Sequence, residues 1–277
     1  MSSPTARTIL SFQTNGKLHN LSTIITSITP FSALAEPNRV LFKTGTDEDT
    51  VIATRETIFH PQGGGQPSDT GTITSNNNDA SAAKLTVSAV RMDAVTAGQV
   101  LHLGRFATAD QRFSVGESVT QAIDAEKRLL YSRYHTAGHV LGAAVRHLLE
   151  TQIDGFDELK ASHFPDAASC EFQGLIDGKF KAPIQERLDR YVAAAMPVEI
   201  DFWSEDDFRA NGLERLIPAG DGVQLAPGEK YRVVKIVGAE VYPCGGTHVD
   251  SSDLCGKVGV KKISRSKGTS RVSYTVD

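Results

Sequence analysis

Near residue 120 the hydrophobic pattern of this chain changes period, and that change limits the available folds more than any other feature. Upstream, apolar residues come in short β-branched runs: RVLFK, TVIATRETIFH, KLTVSAVRM and QVLHL. Turn-formers such as GTDED and SNNNDASAA separate them, and no stretch there carries a 3.6-residue repeat. Downstream of GESVTQAID, Leu130, Tyr134, Ala137, Leu141, Ala144 and Leu148 recur at spacings of four and three. The run from Asp124 therefore reads as one long helix with Asp124 as its N-cap. PIQERLDRYVAAAM reads as a second helix that stops before Pro197, and AASCEF, VEIDFW, KYRVVKIV, GVKKI and RVSYTV read as strands. The expected class is α+β, with a small antiparallel β-barrel or sandwich over residues 1–116. Over 117–277 helices should pack on a largely antiparallel sheet.

A chain of 277 residues with 40% hydrophobic and 22% charged residues has the composition of a globular protein able to bury a core. No apolar run approaches the ~20 residues needed to span a bilayer, so no membrane role is expected. The start, MSSPTARTILSFQ, lacks the apolar segment of a secretory signal, although its Ser/Thr-rich, acid-poor character resembles an organellar presequence. Three cysteines (Cys170, Cys244 and Cys255) are too few for a disulfide framework and point to a reducing compartment, which we read as cytoplasmic. A net charge of −4 argues against nucleic-acid binding by bulk charge. Between Lys257 and Arg271, however, six cations and no acid occur, either as a solvated edge strand or as a phosphate-facing surface.

Two phrases carry chemistry. In HTAGH, His135 and His139 are i and i+4 on the long helix, so both imidazoles leave one face with Cβ atoms roughly 6 Å apart. The pair lacks the glutamate of a metalloprotease HExxH. In PCGGTH, Pro243 ends strand pairing and two glycines permit φ > 0, so Cys244 and His248 can aim at a common centre. Three imidazoles and one thiolate make a tetrahedral donor set suited to Zn2+. With all four tightly bound, the metal would pin helix to sheet; with one loose, it could acidify water or polarise an ester carbonyl. A third phrase, TIFHPQGGGQPSDTG, exposes backbone amides around three glycines but is no P-loop, since no Gly-Lys-Ser/Thr follows.

RETIFHPQGGGQPSDTG, RYHTAGHVL and VYPCGGTHV, in that order, resemble the free-standing alanyl-tRNA editing proteins (AlaX-type). They also resemble the editing region of alanyl-tRNA synthetase, and in the last two motifs that of threonyl-tRNA synthetase. The resemblance runs from about residue 40 to the C-terminus. It implies a β-barrel bearing the glycine motif ahead of an α+β editing domain, with His135, His139, Cys244 and His248 binding zinc at a deacylation site. It further implies that Gly63, Gly64, Gly65 and Gln66 lie near the acceptor end of alanine tRNA. Ser162 and His163, in LKASHFPDAASCEF, become candidate substrate contacts, although Leu159 stands where synthetase relatives often carry Gln. Lys261, Lys262 and Arg265 become candidate phosphate contacts. The substrate implied is alanine tRNA mischarged with serine or glycine, and no obligate protein partner is expected.

Three other readings compete. One is a Cys-His hydrolase with Cys244 as nucleophile. The second is a tRNA-binding module with a structural zinc, and the third an editing fold redirected to another acyl ester. Cys170 and Cys255, together with His60, His102 and His147, read as structural or surface residues, and Trp203 as a packing residue.

Overall fold

The computed structural model describes residues 7–77, 82–108, 110–218, 225 and 228–277; the first six residues and the tip of the SNNNDASAA turn lie outside them. The chain divides into two compact units, one of residues 1–63 and 67–129, the other of residues 64–66 and 130–277.

The first unit begins with β1 (Ile9–Leu10) and a four-residue helix α1 (Ser11–Thr14), followed by β2 (Asn20–Pro30), a turn of helix α2 (Glu36–Arg39) and β3 (Thr50–Thr54). Then come β4 (Glu56–Thr57), β5 (Gly71–Ser75), β6 (Lys84–Met92), β7 (Val100–Phe106) and β8 (Ser118–Ile123). Six of these strands close an antiparallel barrel in the order β2-β3-β7-β6-β5-β8. Closure removes every free sheet edge within the barrel. Alternate residues point inward, and Ile25, Ile52, Ile73, Leu85, Val87, Val100 and Val119 fill the interior. The break expected at 116/117 falls ahead of β8, which pairs with both β2 and β5.

RVLFK is not a strand. Pro37, at the start of α2, presets a helical φ, and the turn that follows tucks Phe42 against Phe31, Val51 and Leu101. The longest barrel strand, β2, has no counterpart among the strand-like runs of the sequence.

The second unit holds most of the long helix α3 (Ala125–Leu149), whose N-cap is Asp124: its carboxylate accepts the Lys127 N–H at 3.1 Å. Next come β9 (Asp157–Ser162), β10 (Ser169–Gln173), α4 (Lys181–Ala193), β11 (Val198–Trp203), α5 (Glu205–Ala210), β12 (Tyr231–Ile236) and β13 (Glu240–Pro243). β14 (Val258–Ser266) and β15 (Thr269–Val276) end the chain. One antiparallel sheet runs β14-β15-β10-β9 and a second β11-β12-β13. Tyr134, Ala137, Leu141 and Ala144 of α3 bury their expected face against Cys170 and Phe172 of β10 and Val272 and Tyr274 of β15. Ile184 and Leu188 of α4 join the same core. The run KIVGAEVY is a hairpin turning through Gly238 at φ 86°. Among the described residues no helix is long and apolar enough to cross a membrane.

Candidate metal centre

His135 and His139 leave α3 one turn apart, their rings stacked with centroids 4.9 Å apart. Cys244 and His248 sit in the loop that follows β13. The candidate ligand atoms of these four residues all lie within 4.8 Å of one another. Cys244 Sγ is 3.4 Å from His135 Nε2 and 3.3 Å from His248 Nε2. A tetrahedral zinc with one sulfur and three nitrogen ligands sets such edges at about 3.5 Å, from its usual bond lengths. His139 Nε2 is buried with no hydrogen-bond partner. Burying a polar atom without a partner costs on the order of 1–3 kcal/mol. A cation at the centre would remove that cost, so the residues present fit a metal.

Pro243 still pairs with Val233, and beyond it the chain turns so that the Cys244 N–H donates to Arg232 O at 3.1 Å. Gly246 is required for space, not for the positive φ the sequence suggested. A Cβ there would lie 2.2 Å from His135 Cε1. The Tyr242 ring stacks on His139 at 4.2 Å, and its hydroxyl donates to the His139 carbonyl at 3.2 Å. The Arg232 guanidinium donates to the Cys244 carbonyl.

Burial dominates the electrostatics. It pushes His139 down to about 3, aided by His163 and Arg232, so the ring is neutral and able to ligate. It also raises the Cys244 thiol, against the opposing effect of Arg232. That is the reverse of what an activated cysteine nucleophile needs. Cys170 and Cys255 are buried, unpaired and likewise raised.

Two ring nitrogens of the cluster face hydroxyl or carbonyl groups. His248 Nδ1 is 3.1 Å from Thr136 Oγ1, which also accepts the Val249 N–H at 3.2 Å. His135 Nδ1 is 2.7 Å from Gln66 Oε1. Gln66 belongs to the three-residue segment that groups with this second unit. It is 0% exposed, and both ends of its carboxamide are engaged, by Thr247 and His135. This departs from the sequence expectation for Gln66, whereas Gly63 and Gly64 are exposed.

His163 is also at the centre. Its ring stacks 4.3 Å from that of His135, and its Nδ1 is 2.8 Å from the Tyr274 hydroxyl. That hydroxyl donates its only proton to Tyr134 O at 2.9 Å, so His163 Nδ1 must carry the proton it shares with Tyr274. Burial pushes His163 down to about 4. Ser162, half-buried, ends β9, and Leu159 is 47% exposed on that edge strand. Lys261, Lys262 and Arg265 are exposed on β14, which is indeed an edge strand. Lys261 and Arg271 line a recess of about 210 Å³ with Ser264, Ser273 and Asp166, while Arg265 lies 3.8 Å from Asp177.

Residues 231–273, from β12 into β15, match the family described as the threonyl and alanyl tRNA synthetase second additional domain. Its curated relatives include the alanine–tRNA ligase of Methanosphaera stadtmanae, 30% identical over 246 residues, which are 84% of this chain and 25% of that protein. They also include the alanyl-tRNA editing protein AlaX-L of Pyrococcus horikoshii, 28% identical over 225 residues, 79% of this chain and 49% of that protein. The chain is homologous to both, as its motifs led us to expect. It spans about a quarter of the first and about half of the second.

Proposed function

We propose that this chain is a trans-editing hydrolase, a zinc-dependent aminoacyl-tRNA deacylase that removes serine wrongly attached to alanine tRNA. Glycine is the second amino acid to test. The observation that carries this reading is the convergence of His135, His139, Cys244 and His248 around an orphaned imidazole nitrogen, in a chain homologous to an alanyl-tRNA editing protein. Physical chemistry supplies the need: a pocket built for alanine admits glycine and rejects an added hydroxyl only about a hundredfold. A second site that hydrogen-bonds the hydroxyl can do far better, because its polar groups go unpaired with alanine.

Zinc, when bound, would supply Lewis-acid polarisation of the ester carbonyl. The protein's own groups supply the rest. With Nδ1–H engaged by Tyr274, His163 offers Nε2 only as an acceptor. We assign it, with Ser162, to the amino-acid end of the substrate, as acceptor for a hydroxyl or ammonium proton. Gly63 and Gly64, exposed and without side chains, remain available to the acceptor end, and Lys261 and Lys262 to phosphates. Replacing Lys261 and Lys262 by Ala should lower the slope of log affinity for tRNA against log salt by ~0.7–0.9 for each phosphate no longer neutralised. Arg265→Ala should change it less, because that cation already faces Asp177. An unchanged slope in the double variant would put the tRNA surface elsewhere.

The deciding assay is deacylation of alanine tRNA charged with serine, glycine or alanine, by wild type, Cys244→Ala and His139→Ala. Wild type should release serine and spare alanine, and both variants should lose the activity. A wild type inert on all three would favour a second reading, a structural zinc in a non-catalytic tRNA-binding protein. Four converging protein donors are the feature on its side, since closed sites are usually structural.

A further inference from the structure

The carboxamide of Gln66 has only one orientation consistent with its neighbours. Gln66 Oε1 is 3.0 Å from the Thr247 backbone nitrogen, and a backbone N–H can only donate. The oxygen is therefore on that side, and Nε2 donates to Thr247 Oγ1 at 2.9 Å. Thr247 Oγ1 is in turn 2.8 Å from Ser132 Oγ, one turn before Thr136 on α3. The same Oε1 lies 2.7 Å from His135 Nδ1. A carboxamide oxygen has no proton to give, so Nδ1 must be the donor. In a neutral imidazole the other nitrogen, Nε2, then carries the lone pair, and Nε2 is the atom that faces Cys244 Sγ at 3.4 Å.

The glycines ahead of Gln66 explain how a residue so distant in sequence reaches this place. Gly65 has φ 78° and its carbonyl accepts the His163 N–H at 2.8 Å. A Cβ on it would sit 2.4 Å from Ala161 O. Bare backbone thus presses against the end of β9, and the next side chain reaches the His135 ring.

From this we infer that Gln66 is a positioning residue of the metal centre: it holds His135 as the Nδ1–H tautomer, so that Nε2 is presented to the cation. The segment GGGQ clips that carboxamide into place, which gives the motif a role inside the centre beyond any contact of Gly63 and Gly64 with RNA. The same carboxamide holds the loop of Cys244 and His248 through Thr247, so it ties one ligand on the helix to two on the loop. This inference rests on the metal reading of the four-residue cluster, not on the identity of the ester. Partners of this kind are worth roughly 10- to 100-fold in metal affinity.

The test uses Zn2+ alone, in competition with a chelator, on wild type, Gln66→Leu and Gln66→Glu. Leu has similar bulk and accepts nothing, so affinity should fall roughly 10- to 100-fold. Glu still accepts from His135 Nδ1 and the Thr247 N–H, and should restore wild-type affinity. A wild type that takes up no Zn2+ sinks the metal reading, and this inference with it. Tight binding by wild type matched by a folded Gln66→Leu sinks the inference alone. Should Gln66→Leu fail to fold, the zinc-loaded wild type decides, through a long-range 1H–15N spectrum of its imidazoles. A protonated Nδ1 and metal-bound Nε2 at His135 support the inference; the opposite pattern overturns it.

Discussion

Gly246 shows how tightly single residues are constrained here. A methyl group at that position would overlap the His135 ring, so either the ring or the loop must move. Gly246→Ala should therefore cost about 1–3 kcal/mol in stability, the usual range for overpacking, and lower zinc affinity along with it. Urea unfolding and chelator competition would check both, and a variant with unchanged zinc affinity would show that the loop yields freely. The four donors were legible in the sequence because i, i+4 spacing and a Cys-x-x-x-His loop are local patterns. Gln66 was not: its partners are 69 and 181 residues away, and nothing local distinguishes a buried carboxamide from one facing solvent. The reason for Gly246 was likewise hidden, because the sequence suggests an unusual φ where the fold needs an empty space.

Elements held by buried charge offer a second class of test. Asp69, the acid of the glycine-rich motif, forms an ion pair with Arg128 in the first turns of α3, both within the first unit and almost wholly buried. Arg128 Nε lies 3.1 Å from Asp69 Oδ1, and its Nη1 donates to Gly16 O at 2.8 Å. Asp69 also accepts the His60 N–H at 2.6 Å. Removing one partner strands the other in a dry environment, so Asp69→Ala should destabilise by about 3–5 kcal/mol, read by urea unfolding. A drop under about 1 kcal/mol would mean that water reaches Arg128. At this scale the sequence was most informative for α3, where six apolar positions and an N-cap agree. It was least informative for β2, whose NLSTIITSITP mixes hydroxyl and aliphatic residues as a barrel wall permits but a simple alternation rule does not expect. RVLFK misled because burial of Phe42 beneath a helical turn leaves the same apolar letters as a strand.

Across the whole molecule, three histidines whose pKa is lowered by desolvation should make stability depend on pH. In the barrel unit His102 donates Nδ1–H to Ile52 O at 2.9 Å and accepts at Nε2 from the Thr57 hydroxyl at 2.8 Å. Burial lowers it from 6.5 to about 4, with the Ile52 bond opposing. Between those values the unfolded chain binds the proton more readily than the folded one. Stability is thus intact above the unfolded value and is lost as pH falls toward 4. For His102 alone the loss is about 3 kcal/mol across the window. His139 and His163 act in the same direction in the metal-free protein. Urea midpoints should therefore drop steeply between pH 7 and pH 4, and less steeply in His102→Gln. A flat profile would mean that these rings accept protons without unfolding.

That α3 and the loop after β13 meet at one cation is tested most directly by zinc-edge X-ray absorption on the purified protein. One zinc per chain, with a single sulfur at about 2.3 Å and nitrogen neighbours at about 2.0 Å, is the predicted result. A zinc shell without sulfur, or a folded protein that takes up no zinc, would contradict it.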